Sequence, residues 1–528
     1  MRGRILVGVA CTHERDRTHY AGLHVPPLPP RSMLLAAALL AGAAAWPRLP
    51  DVTPADAPLD VFSAERALVH IRAWAAAPRP SGSKAHAAVI VGAEAELSRL
   101  GFSVEREHVS GKRPLTNVVA HAPEWDRDDI AQTGVWLVAH TDTVPESPGA
   151  ADDGLGLGVV MEAARALSAE GAPPNLHVLL TDGEELGLHG AIAHVQGRVG
   201  AAPRVVLNVE ARGTEGPAYM FQLAGASTAL LDVWNESRCR AQATSLARAV
   251  YDVLPNDTDF SVFRRAGFWG YDFALIGGAH RYHSPEDTPE NLDPRSVQQV
   301  GGCVVGLARG WLGRSVASEA PEVAPVYFQV PGGTFVGPPW GVRALAIGAL
   351  LALPRPRGWR ALAGGAAWIG ALVSSLVAGF ALLGVALATR PDFWERDAEM
   401  AGAGGWYVAA AVTGSVVTSA AARFARHPVS AWGWHATIVT LSAIAALGAP
   451  TSGYVLLPGA LASALIARGR PGLAVIPAAA SGILLTPVLY AIFPALTTRL
   501  LPVLAVVPVL TLGWLLGPLM PSRSSGSA

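Results

Sequence analysis

The sequence predicts an α/β domain with a mainly parallel mixed sheet flanked by helices, followed by an all-α transmembrane bundle. Short apolar strands alternate with helical stretches between residues 62 and 312, which is typical of a sheet covered on both faces. Long apolar segments follow one another beyond residue 340, and no Asp or Glu occurs after Glu399. A chain of 528 residues is also longer than one core usually holds. We therefore expect at least two domains of different character.

Composition excludes several classes of function. Charged residues make up 15% of the chain, and the formal net charge is −1, so no basic surface indicates nucleic-acid binding. The three cysteines, Cys11, Cys239 and Cys303, show no CxxC spacing, which disfavours a cysteine zinc site and a redox motif. Pairing of Cys239 with Cys303 in an oxidising compartment is left open. Any bound metal must therefore be held by histidines and carboxylates.

The N-terminal region resembles an export signal. Residues 1–32 form a basic segment rich in Arg, His and Pro, and the apolar run at 33–46 predicts a signal peptide or a signal anchor. The run is shorter than the roughly 20 residues of a full membrane span. Met33 directly precedes it, so translation starting there is an alternative that N-terminal sequencing would test. In both cases we expect the following domain to be exported.

The α/β domain is predicted at 62–312, with a junction at 313–340 that is rich in Pro and Gly. Buried strands are expected at the apolar runs, and helices at the longer amphipathic stretches. The predicted strands are 135–139, 176–181, 204–209 and 270–277, and the predicted helices are 62–76, 85–100, 155–170 and 294–312. In a parallel sheet, functional groups are expected at the carboxyl ends of the strands.

A transmembrane domain of about seven helices is predicted at 341–520, with an uncertainty of one in the count. The apolar segments are 341–353, 361–388, 404–421, 431–449, 453–467, 472–494 and 500–519. Arginines concentrate in the loops at 354–360, 422–430 and 468–471. Because cytoplasmic loops favour Lys and Arg, the α/β domain is expected outside the cytoplasm and the C-terminus inside. A bacterial periplasmic or extracellular side and the lumen of an internal membrane both fit.

Five polar stretches follow predicted strands, and the first two contain His140 and Asp152. In VAHTDTVP, Asp142 can hold the second ring nitrogen of a metal-binding His140, although a structural histidine explains this stretch alone equally well. In SPGAADDGLG, the adjacent acids Asp152 and Asp153 are costly unless a cation neutralises them. An acidic first helical turn is the alternative explanation. One such carboxylate can bridge two zinc ions.

The other three stretches add Glu184, Glu185, Glu210 and His283. In LLTDGEELGLHG, one glutamate can bind metal while its neighbour takes a proton from water. VVLNVEARG supplies Glu210, and RYHSPEDT supplies His283. Two histidines and three carboxylates are nitrogen and oxygen donors that suit zinc. Each stretch is weak alone, but all five in order at strand ends favour a metal site.

These motifs resemble metallopeptidase family 28, the family of aminopeptidase Y and glutamate carboxypeptidase II, across roughly 62–312. The SPGAADD and NVEARG stretches and the apolar C-terminal half are most similar to the subgroup of the endoplasmic reticulum metallopeptidase and the vacuolar membrane protease. The resemblance implies a zinc exopeptidase fold and two Zn²⁺ per chain. It also implies peptide substrates, and membrane lipid is the other expected partner.

Carried over by position, the resemblance implies metal ligands, a general base and a supporting acid. Glu184 is the implied base, Asp142 the partner of His140, and a cis peptide is implied between Asp152 and Asp153. The implied ligands are His140 and Glu210 on one zinc, Glu185 and His283 on the other, and Asp152 between them. Many relatives carry Asp at the position of Glu210, an exchange that leaves metal binding intact.

The expected function is a membrane-anchored di-zinc aminopeptidase, and three alternatives are weighed against it. A carboxypeptidase or dipeptidase of the same family uses the same ligands. A one-zinc glutaminyl cyclase type is disfavoured because all five ligand positions are filled, and family 20 is disfavoured because no room remains for its lid domain between Glu210 and His283. An inactive receptor-like or transporter-like protein is disfavoured by the intact Glu184. The oligomeric state is left open.

Overall fold

A computed structural model describes residues 30–109, 114–123, 134–196, 204–252, 257–314, 324–354, 359–389, 403–495 and 501–518. The segment 1–29 and the arginines Arg355 and Arg357 therefore lie outside the described residues. Strands and helices alternate up to residue 311, and helices dominate from residue 339 onward. The predicted fold class is confirmed.

An eight-stranded mixed sheet forms the centre of the α/β domain, in the order β1-β2-β4-β3-β5-β8-β6-β7. Its strands are β1 Ser103–Val109, β2 Leu115–His121, β3 Gly134–His140, β4 Leu176–Thr181, β5 Arg204–Ala211, β6 Glu215–Ala224, β7 Gln242–Ala243 and β8 Trp269–Gly277. The central pairs β4/β3, β3/β5 and β5/β8 are parallel. These four central strands coincide with the predicted ones, and their carboxyl ends meet at one edge of the sheet.

Helices cover both faces of this sheet. They are α2 Ala64–Trp74, α3 Lys84–Arg99, α4 Gly154–Leu167, α5 His189–Val195, α6 Ser227–Glu236, α7 Ser245–Tyr251, α8 Asp259–Arg265 and α9 Pro294–Trp311, after α1 Pro30–Ala44 near the N-terminus. Helix α4 is apolar on nearly every side because it lies between β3 and β5 on one side and α2 and α9 on the other. Its N-cap, Asp153, accepts a hydrogen bond from the N–H of Gly156 at 2.8 Å.

Two features fix the periphery of the domain. Cys239 and Cys303 are joined by a disulfide, the pairing that the sequence left open. After α9, the hairpin of β9 Val326–Val330 and β10 Gly333–Gly337 occupies the junction predicted at 313–340. This hairpin leads directly into the helical region.

The helical region places a helix in each of the seven predicted apolar segments. They are α10 Pro339–Leu351, α11 Arg360–Thr389, α12 Ala403–Phe424, α13 Pro428–Gly448, α14 Pro450–Gly453 continuing through residues 454–456 into α15 Leu457–Ala467, α16 Val475–Ala495 and α17 Leu501–Leu516. Five are long and apolar enough to cross a membrane, while Pro339–Leu351 and Leu501–Leu516 are shorter apolar helices, as is Arg31–Ala44 in α1. The exact number of spans stays a prediction.

Small residues let these helices approach closely. A Cβ atom added at Gly364 of α11 would collide with the carbonyl oxygen of Ser430 on α13, and one added at Gly482 of α16 would collide with that of Ala38 on α1. Such backbone contacts are typical of helices packed within a membrane, where small residues line the interface. The buried side chain of Leu34 belongs to the same core cluster as Trp368 of α11. Helix α1 is thus packed into the bundle.

The two ends of the bundle differ. Arginines gather at one end, where Arg360 lies 2.9 Å from His427 and Arg468 donates to the carbonyl of Ala352. The α/β domain contacts the other end: Tyr219 donates to the carbonyl of Pro487 at 3.3 Å, and Ser245 donates to that of Thr451 at 2.7 Å. The sheet domain therefore sits on the bundle opposite the arginine-rich loops.

Candidate metal centre

The edge where the central strands end brings the predicted polar residues together. His140 is the last residue of β3 and Glu210 the last but one of β5, while Glu184 and Glu185 follow β4. His283 comes six residues after the end of β8. Because β4, β3, β5 and β8 are parallel neighbours, these side chains converge at one site.

Asp152 stands between two groups of potential ligands. On one side, His140 Nε2 lies 3.1 Å from Asp152 Oδ1 and 3.7 Å from Glu210 Oε2. On the other side, His283 Nε2 lies 3.0 Å from Asp152 Oδ2 and 3.2 Å from Glu185 Oε1. Within each group the ligand atoms all lie within 4.8 Å of one another, and each could hold a metal ion. The two oxygens of Asp152 thus face different groups.

The group formed by Asp152, Glu185 and His283 has buried, unpaired ligand atoms that a cation could contact. His283 Nε2 and Glu185 Oε1 are buried, yet neither makes a hydrogen bond with a partner that the structure describes. His283 Nε2 and Glu185 Oε1 lie 3.2 Å apart, so one cation placed between them could contact both atoms. A buried polar atom left unpaired costs about 1–3 kcal/mol, which a bound cation would offset. The residues therefore fit a metal, and their nitrogen and oxygen donors fit zinc.

The backbone of His283 supports a functional role. Its φ angle is 56°, in the left-handed region that residues other than Gly seldom adopt. Holding such a residue costs on the order of 1–2 kcal/mol. Strain of this kind is concentrated at functional sites. The stacked ring of Tyr282, with centroids 3.7 Å apart, packs against the histidine in this position.

The site contains more carboxylates than positively charged side chains, so its net charge favours the binding of protons or cations. Burial lowers the pKa of His140, but the hydrogen bonds that its ring donates to the carboxylates of Asp142 and Asp152 outweigh burial and raise this pKa well above its usual value. Burial likewise opposes charge on His283, yet Asp152 and Glu185 raise its pKa to about 10. Both imidazoles are thus drawn toward the protonated state by the surplus of carboxylates. A divalent cation can replace these protons and neutralise the same acids.

Glu184 differs from its neighbour because it belongs to neither group around Asp152. Burial raises the pKa of Glu184 well above its usual value, and the carboxylates of Asp259, Asp152 and Glu185 raise it further. Glu184 forms a third set of potential ligand atoms with His140 and Glu185. Because His140 belongs to one ligand group and Glu185 to the other, the Glu184 carboxylate lies close to both groups. A half-buried glutamate with a raised pKa beside a cation site has the properties of a proton acceptor.

Asp142 contacts His140, as the sequence predicts, and also the backbone of Glu184 and Glu185. His140 Nδ1 lies 3.1 Å from the backbone carbonyl of Asp142 and 3.5 Å from its carboxylate, which leaves Nε2 to face Asp152. The same carboxylate accepts from the N–H groups of Glu184 at 3.2 Å and Glu185 at 3.3 Å. Asp142 therefore orients the glutamate pair as well as the histidine.

Sequence reasoning missed two residues that position Asp152. The carboxylate of Asp287 accepts from the N–H of Ala151 at 2.7 Å and from that of Asp152 at 3.1 Å. The fully buried Arg79 donates from Nη1 to the carbonyl oxygens of Pro148 and Gly149. The peptide between Asp152 and Asp153 is cis, as the resemblance implies. The PEDT stretch that contains Asp287 closely follows the predicted ligand His283 and could have indicated a role for this acid. Nothing in the sequence near Arg79 indicates the role of the arginine.

Asp287→Ala is expected to weaken zinc binding about 10- to 100-fold, the usual cost of losing a residue that orients a metal ligand. The substitution removes both acceptors that fix the backbone before and at Asp152. Zinc affinity measured by competition with a chromogenic chelator checks this. Glu286→Ala is the matched control, because the neighbouring Glu286 side chain is exposed. Unchanged affinity in the Asp287 variant would contradict the positioning role.

The comparisons with known proteins agree with this architecture. Residues 117–308 match the model described as Peptidase family M28. Endoplasmic reticulum metallopeptidase 1 of Homo sapiens is 30% identical over 203 residues, covering 37% of this chain and 22% of the relative. Vacuolar membrane protease of Lachancea thermotolerans is 29% identical over 206 residues, covering 38% and 21%. The chain therefore contains a peptidase family M28 domain, and it matches less than a quarter of the length of either relative.

Two solved structures are each similar to about half of this chain. The aminopeptidase from Aneurinibacillus sp. strain AM-1 covers 49% of this chain and 97% of its own, with a TM-score of 0.38 and 14% identity. A glutaminyl cyclase from Fimbriiglobus ruber covers 49% and 99%, with a TM-score of 0.37 and 18% identity.

Proposed function

We propose that the peptidase family M28 domain of this chain is a zinc-dependent aminopeptidase that holds two Zn²⁺ and is anchored in a membrane by the helical region. The observation that carries the proposal is the position of Asp152, whose two oxygens face two separate groups of ligand atoms. His140 and Glu210 complete one group, and Glu185 and His283 complete the other. A one-metal site would leave one of these buried groups without a counterion.

Zinc bound there would lower the pKa of a water molecule and polarise the scissile carbonyl group. Glu184 takes the proton from the attacking water, because its half-buried carboxylate lies beside residues of both ligand groups and its raised pKa favours proton uptake. The same carboxyl group then delivers the proton to the leaving amine. Asp142 keeps Glu184 in place through the backbone N–H at 3.2 Å.

Cleavage at a free N-terminus is the form of hydrolysis that the charges favour. The site carries more acids than the two ligand groups use, since the half-buried Glu184 and the buried Asp259 both lie near it. The Asp259 Oδ1 atom is buried and makes no hydrogen bond with any residue in the described ranges. A positively charged substrate amine would find carboxylates here that have no other counterion. This supports an aminopeptidase over a peptidase that reads only a C-terminus.

The bundle supports an extracytoplasmic position for the domain. Arg360 and Arg468 lie at the bundle end opposite the α/β domain, while Arg343 lies at the near end, and cytoplasmic loops are the ones enriched in arginine. The Cys239–Cys303 disulfide also fits an oxidising compartment. Helix α1 packs against α16, which supports a retained signal anchor rather than a cleaved peptide. We infer that the C-terminus faces the cytoplasm.

One experiment tests the enzyme and its class together. The full chain is purified in detergent, its zinc is counted by mass spectrometry, and matched peptides with free or acetylated N-termini are supplied. We expect two zinc ions per chain and release of the N-terminal residue from the free peptides only. Cleavage of the acetylated set alone would overturn the aminopeptidase assignment. One zinc per chain at full activity would overturn the two-metal assignment.

A further inference from the structure

Arg212 is a cation on the wall of the candidate site. It follows β5 two residues after Glu210, and its backbone N–H is held by the carbonyl of Leu275 at 2.8 Å. Its guanidinium carbon lies 5.7 Å from the centre of the Tyr282 ring, and that ring stacks on His283 with centroids 3.7 Å apart. Arg212, Tyr282 and His283 thus form one continuous layer that ends at the ligand groups.

This arginine has no acidic partner. Within the described part of the chain no hydrogen bond or ion pair to the Arg212 side chain is found, and its Nε is buried without a partner. The neighbouring Arg281, by contrast, donates to Thr214 at 2.9 Å and lies 3.5 Å from Glu215. A guanidinium left in this state costs free energy that an incoming anion would offset.

We propose that Arg212 binds a carboxylate of the substrate, so that the enzyme acts on short peptides with a carboxylate close to the scissile bond; this rests on the proposed aminopeptidase function. The distances of 5.7 Å and 3.7 Å together place the guanidinium carbon no more than about 9.4 Å from the centre of the His283 ring, a gap that about three extended residues cover. The planar guanidinium matches a carboxylate with two parallel hydrogen bonds. The positive charge of Arg212 also offsets the repulsion between a substrate carboxylate and the acidic side chains of the site.

Two sources can supply this carboxylate: the C-terminus of a dipeptide or tripeptide, and an acidic side chain in a longer one. Four substrates separate them, namely leucyl-alanine, leucyl-alanine amide, leucyl-aspartate amide and leucyl-asparagine amide. A higher kcat/KM for leucyl-alanine than for its amide identifies the C-terminus. A higher value for the aspartate amide than for the asparagine amide identifies the side chain.

The test compares the full-length wild-type protein with Arg212→Met. We expect the wild type to prefer the carboxylate member of at least one pair by about 10- to 100-fold, the range of a hydrogen bond to a charged group, and the variant to lose this preference. Activity on the neutral amides should persist, which shows that the variant folds. Arg281→Met removes a charge from the same wall but should keep the preference, because Arg281 already faces Glu215. The proposal is overturned if the wild type shows no preference for the carboxylate substrate, or if Arg212→Met keeps the preference of the wild type.

A binding measurement keeps this inference separate from the proposed activity. Calorimetry is run with leucyl-alanine in which a methylene replaces the scissile carbonyl, and with the amide of that analogue. We expect the acid to bind more tightly than the amide in the wild type and equally in Arg212→Met. If no substrate is hydrolysed but this difference is seen, the aminopeptidase proposal fails and the carboxylate site stands. Equal binding of acid and amide by the wild type overturns the site itself.

Discussion

Glu184→Gln is expected to lower kcat about 10²- to 10⁴-fold, the contribution of a positioned general base. Glutamine keeps the size and polarity of the side chain but cannot take a proton from water. Glu184 lies outside both ligand groups around Asp152, so the zinc content should not change. The measurement is single-turnover hydrolysis alongside zinc counting on the same preparation.

The control for Glu184 is Glu170→Gln, which makes the same chemical change at an exposed position in the turn after α4. It should leave kcat within about twofold, since exposed substitutions have small effects. Full activity in the Glu184 variant would remove the glutamate from its proposed role. Loss of zinc together with activity would instead make it a ligand.

Asp152→Ala is expected to have the other large effect, because both ligand groups share this residue. Removing it leaves His140 facing Glu210 alone and His283 facing Glu185 alone, and two ligands hold zinc poorly. We expect fewer than two zinc ions per chain and a loss of activity beyond about 100-fold, the upper range seen for residues that only orient ligands.

Asp232→Ala serves as the control for Asp152, since Asp232 is exposed on α6 and lies outside the potential metal groups of the described residues. It should keep both zinc content and activity. If the Asp152 variant bound two zinc ions with wild-type affinity, the shared position of this carboxylate would have no consequence, and the two-metal proposal would fail.

The central strands were predictable because each is a continuous apolar run, buried on both faces. The edge strand β1 was missed, since its SVEREHV sequence is polar and mostly exposed, so neither an apolar run nor a clean alternation marks it. Strand β6 was missed for another reason. It pairs with β8 through irregular register and depends on that partner more than on its own pattern.

The site shows the same division. Residues that end apolar strands, such as His140 and Glu210, were predictable because a polar group after a buried run stands out. Arg79 was not, since its contacts are with backbone carbonyls some seventy positions away and only folding brings them together. The unpaired state of the Arg212 guanidinium could not be predicted either, because only the folded arrangement shows that no acid among the described residues pairs with it.

The attachment of the α/β domain to the bundle limits where catalysis can happen. The chain enters the domain from α1 and leaves it through α10, and Tyr219 and Ser245 make hydrogen bonds to the bundle between these two connections. If the helical region spans a membrane as proposed, these contacts hold the site close to the lipid surface. A peptide that is itself held in the same membrane meets it by lateral diffusion, at a far higher effective concentration than a dissolved peptide of equal affinity.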